Sequence, residues 1–140
     1  MSTPCVNVFR NEEENYYVVR YQAAAPEGGS TDFGEPTIVS ADEFDSRIAG
    51  LVFKGLEMYP DNVHEPKAMD SRSRKKARDF FRRHTLVSVA KASTGQILVN
   101  ACEHHGVLYG GVAGGETKLG FAPTERDLVK ALNEAFRKAT

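Results

Sequence analysis

The stretch LVSVAKASTGQILVNAC, residues 86–102, carries the plainest structural signal in the chain. On either side of Ser93-Thr94-Gly95 apolar residues alternate with polar or small ones, the period of a half-buried strand. The glycine at the third connecting position suits the left-handed backbone of a short bulged hairpin. Working outward, residues 107–112 and 118–121 read as two more short strands joined by a glycine turn at Gly114-Gly115-Glu116. Toward the N-terminus, the Val- and Tyr-rich residues 6–9 and 16–21 read as a second hairpin across the polar residues 10–15. The spacing predicts an antiparallel sheet of about five to six strands, an N-terminal hairpin plus a C-terminal meander.

Between and after these strands the period changes from two to that of a helix. Ser40-Ala-Asp-Glu43 is a capping-box pattern, and Phe44, Ile48, Leu51, Val52, Leu56 and Tyr59 fall on one stripe ahead of Pro60. Gly50 and Gly55 each weaken that helix by about 1 kcal/mol relative to alanine, which predicts a close neighbour, the sheet, at these positions. A second helix over residues 70–84 is strongly basic and carries only Ala77, Phe80 and Phe81 as an apolar edge. Thr124, with Asp127 three residues on, opens a third whose inward face is Leu128, Ala131, Leu132, Ala135 and Phe136. Residues 22–35 and 61–69, rich in Gly or Pro, are expected to be loops. Two to three helices packed on an antiparallel sheet define the class α+β.

A chain of 140 residues with 41% hydrophobic and 26% charged residues is expected to form a single domain, 1–140, around one core. Its 18 basic and 19 acidic residues leave a formal charge of −1, which argues against nucleic acid or an anionic membrane as a partner of the chain as a whole. The first residues lack the basic start and apolar run of a signal peptide, and no apolar run reaches membrane-spanning length, so a cytoplasmic location is expected. Cys5 and Cys102 stand far apart without metal-ligand spacing and are expected to be reduced thiols.

Four local patterns bear on chemistry. Cys102-Glu103-His104-His105 offers four ligand types, but consecutive strand side chains point to opposite faces and no second cluster completes a tetrahedral site, so no metal or cofactor is expected. The glycine run 110–115 has Glu116 where a phosphate loop needs lysine, and strand-like residues follow instead of a helix. No nucleophile elbow or oriented third residue accompanies the serines, cysteines and histidines, so the chain reads as a binding protein rather than an enzyme. A small hydrolase or transferase around Cys102, His104 and His105 is one alternative. The other is a nucleic-acid-binding module using the basic helix 72–83. For a protein partner, the candidate residues are Glu12, Glu13, Glu14, Tyr16, Asp42 and Asp45: clustered carboxylates beside tyrosine suit a partner with a basic groove.

From Phe80 onward the chain resembles immunity proteins of bacterial contact-dependent growth inhibition systems. The pieces that carry the resemblance are Phe80-Phe81 and His84 ahead of residues 86–91 (LVSVAK), Gly95-Gln96-Ile97-Leu98-Val99, Gly110-Gly111, and residues 123–132 (PTERDLVKAL). The resemblance implies a cytoplasmic protein that binds the C-terminal toxin domain of its cognate delivery protein, often a nuclease, and blocks its active site or substrate surface. It brings no catalytic residues and leaves the oligomeric state open.

Overall fold

The structure is a computed structural model describing residues 3–26, 28–60, 71–105 and 108–140, with side chains described at all of these except 71–74 and 108. The chain forms strands β1 (Cys5–Asn11), β2 (Tyr16–Ala24), β3 (Ser30–Asp32) and β4 (Thr37–Ser40), and helices α1 (Phe44–Glu57) and α2 (Ser71–Arg83). Strands β5 (Thr85–Lys91), β6 (Ile97–His105) and β7 (Leu108–Gly120) and helix α3 (Glu125–Lys138) follow. All pairs are antiparallel, in the order β3-β2-β1-β5-β6-β7, with β4 also paired to β2. The α+β class is as expected, with seven strands instead of five to six.

Strand alternation divides the side chains between two faces. Val6, Val8, Tyr17, Val19, Val87, Val89, Ile97, Val99 and Ala101 face α1 and α3, and this layer is the main core. From α1 it takes Phe44, Ile48, Val52 and Leu56; from α3 it takes Leu128, Ala131, Leu132, Ala135 and Phe136. Fully buried side chains such as Leu128 and Leu132 each contribute about 2–3 kcal/mol through removal from water. On the opposite face a smaller cluster, Phe9, Val18, Leu86 and Cys102, lies under Phe80 and Phe81 of α2.

The local signals held where no strand competed for the same groups. Thr124 caps α3: its Oγ1 accepts from the Asp127 N–H and its own N–H donates to Asp127 Oδ2, both at 3.1 Å. The same pattern at Ser40 forms no cap. Ser40 is the last residue of β4, Ala41 N–H is already given to Asn15 O at 3.1 Å, and Ser40 Oγ donates to the Glu43 carboxylate at 3.1 Å. A 3-10 turn, Ala41–Glu43, therefore precedes α1. That helix stops at Glu57, short of Tyr59, whose hydroxyl pairs with Ser30 Oγ.

Two predicted irregular regions are ordered by pairing. Of residues 22–35, the first three extend β2 and Ser30–Asp32 forms β3; Gly28 and Gly29, at φ 97° and 71°, make the turn between them. Gly114-Gly115-Glu116 does not join two strands, as the sequence predicts, but lies within the single strand β7. Asn100 pairs with Glu116 and Cys102 with Gly111, so residues 112–115 bulge opposite Ala101. Gly114 takes φ 71°, and a Cβ on Gly115 would stand 2.9 Å from Val112 O, so a side chain there would clash with the bulge. Residues 61–69, Asp70 and Val107 lie outside the described residues.

Candidate partner-binding surface

The acidic candidates gather at one end of the sheet, where the β1–β2 turn meets the start of α1. Buried Asn11 organises that turn: its Oδ1 accepts from Glu14 N–H at 3.0 Å, and its backbone carbonyl accepts from Asn15 N–H at 2.9 Å. Asn15 can close the turn because asparagine tolerates its φ of 60°. With the backbone held from inside, Glu12, Glu13 and Glu14 all point to solvent. Pairing of Tyr16 with Ser40, together with the Ala41–Asn15 hydrogen bond, brings exposed Asp42 and Asp45 to the same end.

Tyr17 senses this charge. Burial is the main cause of its raised pKa, opposed by Arg10 and reinforced by Asp45 and Glu12. Arg10 lies over the Tyr17 ring and 3.6 Å from Glu12, so that carboxylate is partly engaged. Among the described residues Glu13, Glu14, Asp42 and Asp45 have no ion-pair partner. Tyr16 is placed differently. It is half-buried against α2, and its hydroxyl is taken up by His84 Nε2 at 3.0 Å and Asn11 Nδ2 at 3.4 Å.

His84, marked in the sequence only as part of a family resemblance, is the centre of a polar knot. Its Nδ1 lies 2.6 Å from the Phe80 carbonyl, which can only accept, so Nδ1 carries the proton and Nε2 accepts from Tyr16 O–H. The backbone carbonyl of His84 receives His104 Nε2–H and Tyr109 O–H, each at 2.8 Å, and Tyr109 O–H also lies 2.9 Å from Phe81 O. These donors satisfy carbonyls that the end of α2 leaves open. Burial lowers the His84 pKa and raises that of Tyr109.

The Cys102, His104 and His105 grouping is drawn apart by these bonds. His104 is bound to the His84 carbonyl, His105 pairs with Glu103 at 3.2 Å, and the buried Cys102 thiol turns toward Asn100 O at 3.8 Å. Among the described residues no three His, Cys, Asp or Glu side chains are grouped to hold a metal ion.

A second feature on the α1 side was missed by sequence reading. Because β2 pairs with β4 along its first half and with β3 along its second, the chain crosses between them at residues 33–36 and leaves a pocket of about 390 Å³. Tyr21, Phe33, Leu51 and Met58 supply its apolar wall, with Arg47 and Lys54 among the charged residues lining it. Phe33 is 38% and Met58 56% exposed beside it. The only hint in the sequence was a phenylalanine within an otherwise polar, glycine-rich segment. The pocket and the acidic end are connected along α1.

No family model and no curated protein matches the sequence. Two solved structures share the fold over nearly their whole length. A protein of unknown function from Neisseria meningitidis superposes with a TM-score of 0.76 at 12% identity, covering 99% of this chain and 96% of that one. A chain of the CdiA-CT/CdiI toxin and immunity complex from Yersinia pseudotuberculosis superposes with a TM-score of 0.71 at 14% identity, covering 100% and 99%. This chain therefore has the fold of a component of a toxin and immunity complex. No described helix is long and apolar enough to cross a membrane.

Proposed function

We propose that this chain is an immunity protein, which binds the toxin domain of a contact-dependent growth inhibition system in the cytoplasm and neutralises it by occupation rather than by turnover. The observation that carries the reading is the fold, shared from end to end with a chain of a toxin and immunity complex. The surface adds a physical rationale. The β1–β2 turn and the start of α1 offer carboxylates without an ion-pair partner among the described residues, Glu13, Glu14, Asp42 and Asp45, and an apolar pocket with Phe33 and Met58 lies farther along α1. Charge at the rim steers a basic partner, and apolar side chains seated in a pocket hold it. A nuclease toxin fits this pattern, because a surface that binds phosphates is basic, and carboxylates occupy it in their place.

The test is co-expression with the toxin domain of the candidate cognate delivery protein. Protection of the cells and isolation of a 1:1 complex are expected. Continued toxicity with no complex would remove the reading.

A further inference from the structure

The net charge of −1 on the whole chain conceals a strong separation. Helix α2 holds seven of the 18 basic residues and one of the 19 acidic ones, so the remainder of the molecule is clearly acidic. The helix is anchored by its C-terminal half, where Phe80 meets the Phe9 ring at 5.2 Å and Phe81 meets Tyr109 at 5.6 Å. Lys75, Lys76, Arg78, Arg82 and Arg83 are exposed, and among the described residues no carboxylate lies within ion-pair distance of any of them.

Their placement on the helix is ordered. At about 100° per residue, Lys75, Arg78 and Arg82 form one row and Lys76 and Arg83 a second, about 120° away around the axis. Ala77, Phe80 and Phe81 fall on the opposite side, where the two phenylalanines pack against the sheet. At the side-chain radius of an α-helix the two rows stand roughly 10 Å apart, close to the ≈12 Å width of the major groove of B-form DNA. A helix lying in that groove would set one row of cations along each bordering strand of phosphates. An acidic protein surface has no reason to present two parallel lines of charge at that separation.

We infer that the solvent face of α2 is a binding site for double-stranded DNA, engaged through the phosphates on both sides of the major groove. The reading does not rest on the toxin partner proposed above, whose surface runs along α1, although Glu13 and Glu14 of that surface lie in the β1–β2 turn near the end of α2. Asp79 falls on the line between the two rows and is the one carboxylate on this face, where it weakens the attraction for phosphate. The footprint is short. Tyr16, the first residue after the β1–β2 turn, bonds to His84 at 3.0 Å, so the acidic turn adjoins the C-terminal end of α2 and limits contact there.

The test is fluorescence anisotropy of the whole protein with a labelled 20-base-pair duplex, titrated from 25 to 200 mM KCl. Five cations predict a log–log slope of roughly −4.5, and each of Lys75→Gln, Lys76→Gln and Arg82→Gln should reduce its magnitude by about one. Asp79→Asn should tighten binding several-fold. A duplex RNA of the same sequence should bind at least about ten-fold more weakly, because its major groove is too narrow to admit the helix. Circular dichroism of each variant shows that the fold is kept. Undetectable binding at 25 mM KCl, a slope unchanged by the three substitutions, or equal affinity for duplex RNA would overturn the inference. So would displacement of the DNA by polyglutamate at equal charge concentration, which would mark α2 as a site for an acidic protein.

Discussion

The hydroxyl of Tyr16 lies 3.0 Å from Nε2 of His84 and joins the first β-hairpin to the end of α2 across 68 positions of sequence. The two rings also meet edge to face at 5.6 Å, while His84 stacks on Phe80 at 3.8 Å. Tyr16→Phe keeps the rings and leaves the buried Nε2 without a donor. Urea denaturation should show a loss of about 1–2 kcal/mol, and an unchanged midpoint would mean that the bond contributes nothing to stability.

The same histidine makes stability depend on pH. Burial lowers its pKa in the folded state, so the unfolded chain binds the proton more readily. The stabilisation is complete above the unfolded pKa of about 6.5 and is lost progressively as pH falls from there through the folded value. Urea midpoints should fall between pH 7.5 and pH 5.5, and His84→Gln should flatten that part of the profile. A wild-type profile as flat as that of the variant would exclude His84 as its source.

The two glycines of α1 should respond to alanine with opposite signs. A Cβ on Gly55 would stand 2.6 Å from Val6 Cγ2 and 2.9 Å from the Tyr21 ring, so Gly55→Ala should destabilise by about 1–3 kcal/mol. Gly50 is exposed and its nearest neighbour is the carboxylate of Glu125 at 3.3 Å, the end of a flexible side chain. Gly50→Ala should be neutral or stabilise by up to about 1 kcal/mol through helix propensity. Thermal unfolding of the two variants side by side checks both.

For the proposed toxin complex, charge and contact should separate kinetically. Reversal of Glu13, Glu14, Asp42 and Asp45 to lysine should slow association by roughly ten-fold or more at low ionic strength and have little effect near 0.5 M salt, where screening removes steering. An unchanged association rate at low salt would exclude the acidic end as the steering surface.

Phe33→Ser and Met58→Ser remove exposed apolar groups beside the pocket, so they should leave the unfolding midpoint nearly unchanged. Dissociation of the toxin complex should accelerate by about ten-fold or more if these side chains anchor it. A dissociation rate equal to wild type in both variants would place the contact elsewhere.

The parts of the fold legible in the sequence were those specified within a few residues. Thr124 and Asp127 form a cap because both partners of each hydrogen bond lie in one helical turn. The same letters at Ser40 and Glu43 misled, because the adjoining backbone was committed to the β1–β2 hairpin, whose Asn15 is remote in sequence. The glycine turn expected at residues 114–116 is a bulge within β7. Gly114 does take a positive φ, but whether that turns a chain or bulges a strand depends on what β6 offers opposite it. Of the candidate site, the clustering of exposed carboxylates was legible. The internal engagement of Tyr16 was not, nor was the pocket formed where β2 changes partner from β4 to β3.

The amino-acid pattern alone established the α+β class, the hairpins around residues 10–15 and 93–95, the inward face of α3 and the basic character of α2, since period, caps and charge are local properties of the chain. Packing settled the rest: the seventh strand, the bulge in β7, the pocket between β3 and β4, and the knot around His84. Each of these depends on hydrogen bonds or close contacts whose two partners are far apart along the chain, and no local pattern records which distant group will meet them.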